Sequence, residues 1–369
     1  MESIFWLLSY VVPFLIVLTV IVFVHEMGHY LVARWAGVAI KTFSIGFGPE
    51  IAGFTDRLGT RWRLSAIPLG GYVRFVGDMG PASEPDRAAL SQTRPEERKR
   101  LFFFKPVWQR IAVVFAGPAA NFIFTFLVLY ALLMGLGRYS LPAVIDEVFP
   151  DSPAAAAGIL AGDRILSVDG YEVTGFGDFQ RLIATSPARE VTIVYERAGQ
   201  EFVVTAVPNA VEQTDRFGNA NRVGVLGVAR NSTSEDVEFS RPGPVEAIGI
   251  TVSEMVFIVD RTFDFLGDFF VGRGDVEQLG GPVKVAQVSG DVAALGWLAL
   301  LNLTALLSLN IGLFNLFPIP LLDGGHLLYY VIEAIRGRPL SQRVQEIGFR
   351  FGLAVVFTLM VFTVVNDLI

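Results

Sequence analysis

Three side chains within five positions are suited to one piece of chemistry. In Val22-Phe23-Val24-His25-Glu26-Met27-Gly28-His29-Tyr30 the two histidines stand four apart. On a helix their imidazoles project from one face a turn apart and can converge on one zinc ion. Glu26, beside the first, can take the proton of a water that the metal activates, which is how this pattern works in metalloproteases. Residues Ser3 to Val24 carry no charge, so the motif falls at the inner end of an apolar span. An ionisable group inside a membrane costs at least ~2.5 kcal/mol on the mildest scale. Polar decoration of a helix end would explain one such residue, not three at ligand spacing. Cysteine is absent, so a metal must be held by His, Asp or Glu.

Catalytic zinc usually takes three protein ligands and keeps one position open. The run Phe314-Asn315-Leu316-Phe317-Pro318-Ile319-Pro320-Leu321-Leu322-Asp323-Gly324-Gly325-His326 offers the third. Its two prolines and two glycines break a helix in mid-membrane and free carbonyls and side chains to line a cavity. Asp323, at the break, is the natural ligand; His326, three residues on, competes for that role but reads better as a supporting or packing residue. Asn315 could hold a substrate backbone or a developing oxyanion, or merely cap the broken helix. Asn121 follows Ala116-Gly117-Pro118, small and kinking residues that let helices approach closely. An interhelical hydrogen bond and a role in the site are both open to it.

These residues need elements to carry them. The chain has 369 residues, 52% hydrophobic and 18% charged, with a mean hydropathy of +0.52, too apolar for a soluble domain of this size. Ser3 to Val24, Ile111 to Gly137 and Val292 to Leu322 are free of charge, each longer than the roughly 20 residues that cross a ~30 Å hydrocarbon core. A fourth span around Ile347 to Val365 contains Arg350, which can snorkel to the interface. The first run has no basic leader and no cleavage-like site, so it is expected to stay in the mature protein. Between Gly37 and Arg110 stand 12 Lys or Arg against 7 Asp or Glu, and between Arg138 and Asp291 stand 12 against 23. The positive-inside bias then puts the first connection in the cytoplasm and the second outside, with both termini outside. A net charge of -7 argues against nucleic acid as a partner.

The expected organisation is a first span over residues 1–36, a cytoplasmic, membrane-dipping β-hairpin region and loop over 37–106, and a second span over 107–137. Outside the membrane follow a small α+β domain over 138–208, linker strands over 209–242 and interfacial amphipathic helices over 243–292. The third span, over 293–336, carries Asp323, and the fourth covers 344–369. Within the hairpin region, period-two patterning with glycine punctuation through Pro68-Leu69-Gly70-Gly71-Tyr72-Val73 reads as strand. Such a sheet must rest against helices or line a wet cavity, because bare strands cannot lie in lipid. Residues Pro81 to Arg100 are polar and read as an exposed loop.

Ser152-Pro153-Ala154-Ala155-Ala156-Ala157-Gly158-Ile159-Leu160-Ala161-Gly162-Asp163-Arg164-Ile165-Leu166-Ser167-Val168-Asp169-Gly170 resembles the signature of a bacterial-type PDZ domain, a module that binds peptides by adding a strand to a sheet edge. The His-Glu-Met-Gly-His run together with Asn-Leu-Phe-Pro-Ile-Pro-Leu-Leu-Asp-Gly resembles the motif pair of the site-2 protease family, and the Pro68 to Val73 stretch and the PDZ segment resemble its bacterial branch, the sigma-E regulators of extracytoplasmic stress. Nearly the whole chain is covered.

The resemblance implies zinc on His25, His29 and Asp323, Glu26 as general base, and Asn315 contacting substrate. It also implies that the hairpin from Pro68 to Phe75, with Leu69, Gly70, Gly71, Tyr72 and Val73, adds a strand to an unwound substrate helix. It implies a four-helix multi-pass protein of the bacterial inner membrane with an extracytoplasmic PDZ domain. Its substrate would be a single-span protein already trimmed outside, such as an anti-sigma factor or a signal-peptide remnant. Familiar members carry two tandem PDZ domains where one is evident here. A non-catalytic PDZ scaffold would leave the zinc residues idle. A metal transporter would need ligands along a path that the other spans lack.

Overall fold

The computed structural model describes residues 7–77, 94–214, 220–231, 237–271 and 280–368. Residues 81–93 of the expected polar loop lie outside that set. Among the described residues, four helices are long and apolar enough to cross a membrane: Leu8–Trp35, Val107–Leu136, Trp297–Asn315 and Gln342–Asp367. They turn Leu8, Ile16, Ile123, Leu127, Phe351 and Phe357 outward, an apolar surface of a kind that water-facing helices avoid.

A π-helical turn at Leu7–Val11 leads into α1, Val12–Trp35. The apolar run ends at Val24, but the helix does not. Helical backbone bonds are local and indifferent to polarity, so α1 continues through the His-Glu-Met-Gly-His run to a C-terminus at Ala36, whose carbonyl accepts from Lys105 Nζ at 2.7 Å. His25 thus sits about 15 Å along the axis from Trp35, the last helical residue, ten residues at about 1.5 Å each.

Strands β1 (Ile40–Thr55) and β2 (Arg61–Phe75) follow. Each bends back on itself, so the two strands make four lanes. Residues 42–45 pair with 71–74 on one side and with 61–64 on the other, and 61–65 pair in turn with 50–55. Glycines 46, 48 and 70 have φ near +84° to +90° and form the bends that L side chains resist. Phe43, Val73, Phe75, Tyr30, Phe102 and Val113 are buried in one cluster, which fastens the sheet to α1 and to α2, Val107–Leu136.

Residues Ala131–Ile250 form a separate compact unit. After β3 (Arg138–Ser140) and β4 (Glu147–Val148), Ser152 caps α3 (Pro153–Ala156) by accepting from Ala155 N at 3.1 Å, with proline at the first position, as favoured at a helix start. Strand β5 (Arg164–Val168), β6 (Tyr171–Glu172), α4 (Phe176–Ala184), β7 (Val191–Arg197) and β8 (Gln200–Ala206) follow, with sheet order β6-β5-β7-β8. Two-residue turns at Asp169-Gly170 and Ala198-Gly199, with positive φ throughout, join the hairpins as the strand twist requires. Strands β9 (Asn209–Thr214) and β10 (Ala220–Val225) pair together. Then β11 (Val228–Ala229) returns to β4 and β12 (Glu238–Ser240) to β3, so the stretch read as linker strands belongs to this unit.

The chain rejoins the first unit through the amphipathic α5, Pro244–Phe270, and α6, Pro282–Ala294. Helix α6 packs on α1 and on α7, Trp297–Asn315. Helix α8 (Asp323–Arg336) and α9 (Gln342–Leu368) complete the chain. The expected third span, 293–336, is therefore broken by residues 316–322 between α7 and α8. Asp367 on α9 accepts from Gly281, Val283 and Lys284 N–H, closing the exposed donors at the start of α6.

Candidate metal centre

His25 and His29 face the same way from α1, their ring centroids 4.8 Å apart and their planes nearly perpendicular. Their Nε2 atoms are 3.2 Å apart. Asp323 Oδ2 lies 3.0 Å from His25 Nε2 and 3.4 Å from His29 Nε2, yet Oδ2 makes no hydrogen bond of good geometry among the described residues. Three potential ligand atoms therefore converge on one point. Tetrahedral zinc with Zn–N bonds of about 2.0–2.1 Å sets its ligand atoms roughly 3.3 Å apart, and these three edges match that spacing. The group contains Asp323 and not His326.

Asp323 reaches this point because the chain breaks. The hydrogen bonds from Ile319 N to Phe317 O and from Leu321 N to Ile319 O turn the prolines into a tight loop, and Asp323 opens α8, where the helix dipole favours a carboxylate. Gly324 packs onto this loop so closely that a Cβ would stand 2.2 Å from Leu316 O and Phe317 O. The start of α8 is fixed from farther along by Glu333, whose carboxylate accepts from Arg110 Nη2 and Nη1 at 2.6 and 3.1 Å.

Helix α2 forms the wall behind the histidines. His29 Nδ1 donates to Val113 O at 2.8 Å, which leaves Nε2 as the lone-pair nitrogen. A Cβ on Gly117 would stand 2.3 Å from His29 Nε2 and 2.9 Å from His25 Cε1, and one on Gly28 2.1 Å from Ala116 O. The two helices touch because both positions lack side chains. Asn121, fully buried, sets Nδ2 3.4 Å from His25 Nδ1.

The three atoms open on a cavity of about 230 Å³ also lined by Glu26, Asn315, His326, Gly71, Tyr72 and Val73. The Val73 backbone lies near the Glu26 carboxylate, and a Cβ on Gly71 would meet Glu26 Cγ at 3.3 Å. Lane 71–75 is thus the edge of the sheet nearest the centre, and no other strand pairs with that edge among the described residues. Pro68 and Gly70 lie farther along β2, outside the cavity lining; of Leu69 only the backbone is described.

The sheet is anchored at its far end by Asp56. It accepts from Leu58 N and Thr60 N, both at 2.9 Å, from Trp62 Nε1 at 3.0 Å and from Tyr30 OH at 3.2 Å. Partial burial is the largest single influence on this carboxyl and would raise its pKa. The bonds from Trp62, Thr60, Leu58 and Tyr30 together outweigh it and hold the group below the usual carboxylate range.

Sequence reasoning named the converging residues but missed Val113 O, Gly28, the Arg110–Glu333 pair and Asp56. A lone Arg and a lone Glu at the ends of apolar stretches were the one visible signal for the pair.

The chain matches the model of peptidase family M50 over residues 13–359. It is 48% identical over 364 residues to a protein of Agrobacterium fabrum that carries the provisional name zinc metalloprotease, covering 98% of this chain and 96% of that one. It is 38% identical over 379 residues to Metalloprotease MmpA of Caulobacter vibrioides, covering 97% and 94%. Among solved structures, the PDZ domain of the SdrC-like protein of Listeria monocytogenes aligns with 23% of this chain and 82% of its own at 23% identity, with a TM-score of 0.19. The relatives span the whole chain, and the family model takes in both histidines and Asp323: this protein belongs to peptidase family M50, the site-2 protease family.

Proposed function

We propose that the chain is a zinc-dependent endopeptidase that hydrolyses a peptide bond within the membrane-spanning segment of a single-span protein already trimmed outside. The observation that carries this reading is the convergence of His25, His29 and Asp323 at 3.0–3.4 Å among helices of membrane-spanning length. His25, His29 and Asp323 would hold the zinc. Zinc there would supply Lewis acidity to the attacking water and to the scissile carbonyl.

Glu26 removes the proton of the attacking water as its oxygen bonds to the carbonyl carbon, then returns a proton to the amine nitrogen as the C–N bond breaks. The Val73 backbone lies near this carboxylate. The open edge of lane 71–75 takes the substrate as an added strand through Gly71, Tyr72 and Val73. This pulls a helical peptide bond into the extended form that a water can reach. Pro68, Leu69 and Gly70, in the bend that leads into that lane, extend the contact with substrate, and Asn315, which also lines the cavity, binds the substrate backbone.

The unit Ala131–Ile250, with its PDZ-like signature run, binds or screens the outer part of the substrate. The charge bias supports an arrangement with that unit and both termini outside a bacterial cytoplasmic membrane. An anti-sigma factor in a stress response or a signal-peptide remnant fits this substrate class.

The test is zinc content and cleavage of a model single-span substrate by the purified full-length chain in liposomes. Glu26→Gln should keep zinc and abolish cleavage. Cleavage at the wild-type rate by that variant would overturn the assignment.

A further inference from the structure

Val113, Gly117 and Asn121 stand at four-residue intervals on one face of α2, and they meet, in turn, His29, both imidazoles and His25. A neutral imidazole has one N–H and one lone pair. A ring that ligates through Nε2 therefore carries its hydrogen on Nδ1, and in an interior that hydrogen needs an acceptor. For His29 the acceptor is Val113 O, at 2.8 Å. For His25 the group at Nδ1 is the Asn121 amide, at 3.4 Å, and its exposure is 0%.

As placed, the amide points Nδ2 at the ring. That orientation suits the tautomer with hydrogen on Nε2, the one without a lone pair for metal. Asn121 Oδ1 has no hydrogen-bond partner among the described residues, and the contact of Nδ2 is to Nδ1 itself. Turning the amide half a revolution about its last side-chain torsion therefore gives up no bond to a third group and brings Oδ1 to the Nδ1 hydrogen.

The backbone beneath is fixed. Thr125 Oγ1 lies 3.0 Å from Asn121 O and 2.8 Å from Ala305 O, Ser308 Oγ donates to Asn121 O at 3.4 Å, and a Cβ on Gly312 would stand 3.0 Å from Asn121 Cβ. Only the amide plane is left to turn.

We infer that Asn121 is the positioning residue of His25: its amide oxygen accepts the Nδ1 hydrogen, selects the tautomer and aims the Nε2 lone pair at the metal, as Val113 O does for His29. This rests on the metal reading of the preceding section. Acceptors of this kind typically govern metal affinity by 10–100-fold.

The test is the zinc dissociation constant of the full-length protein in detergent, by competition with a chelating dye. Asn121→Leu, similar in size but with no acceptor, should weaken zinc by roughly tenfold or more, whereas Asn121→Asp should stay within roughly tenfold of wild type. A residue that only packs helices predicts the reverse, because leucine fills the space and a buried carboxylate disrupts it. Zinc binding by Asn121→Leu equal to wild type, or its loss in Asn121→Asp, would overturn the inference and leave the metal reading intact. If Asn121→Leu does not fold, the result for Asn121→Asp decides alone. A wild-type protein that binds no zinc would instead sink the metal reading itself.

Discussion

Arg110 and Glu333, 223 residues apart in sequence, meet through two parallel hydrogen bonds with side chains only 10% and 13% exposed. The guanidinium also lies over the Tyr330 ring, 4.8 Å from its centroid, and donates to Lys105 O. Through this pair the start of α2 holds α8, and α8 holds Asp323. Removing one partner of such a pair strands the other charge. Arg110→Ala should cost about 3 kcal/mol of stability, whereas Arg110→Met with Glu333→Leu should recover most of it. Chemical denaturation of both variants in detergent checks this. Equal stability of the single and double variants would show that the pair is not coupled.

Gly117 faces both imidazoles with no side chain. Gly117→Ala would drive a methyl group into His29 Nε2, and the purified variant should hold well under one zinc per chain. Gly135→Ala on the same helix, where a Cβ meets nothing within 4 Å, should bind zinc like wild type. Elemental analysis of the two proteins decides whether the loss is specific to the first position.

Asp323 and His326 both line the cavity, but only Asp323 has an oxygen at ligand distance from both imidazoles. Asp323→Ala should therefore lower zinc content below one per chain, and His326→Ala should leave it unchanged. Retention of zinc by Asp323→Ala with loss in His326→Ala would exchange their roles.

Asp56 is held below its ordinary value in the folded chain. The stability it contributes is complete above the unfolded carboxylate value of about 3.9 and disappears as pH falls through the lower folded value. Acid titration of tryptophan fluorescence should show a transition below about pH 4 that Asp56→Asn, unable to ionise, lacks. An identical transition in that variant would remove Asp56 as its source.

The parts legible from sequence were those written in side chains at short range. His25 and His29 share a helix face whatever surrounds them, and Asp323 stands out as a charge beside prolines in an apolar run. The Ser152-Pro153 cap and the Asp169-Gly170 turn are equally local. Val113 O is a backbone group, so no residue type announces it. The smallness of Gly28 is visible, but the carbonyl it meets belongs to another helix. The strands β1 and β2 were readable from alternation, whereas the folding of each strand into two lanes depends on which neighbours it finds.

The continuation of α1 for ten residues beyond His25 constrains how this chain can change length. A residue added in the turn around Gly37 leaves the helix above it untouched. A residue added within α1 after His29 rotates everything that follows by about 100° and shifts it by 1.5 Å, tearing Tyr30 and Arg34 from Asp56 and Thr60 while sparing the imidazoles. Added between His25 and His29, it separates the imidazoles onto different faces at once. Tolerance to insertion should therefore fall stepwise toward the site, and the four-residue interval is the one length in the helix that admits no revision.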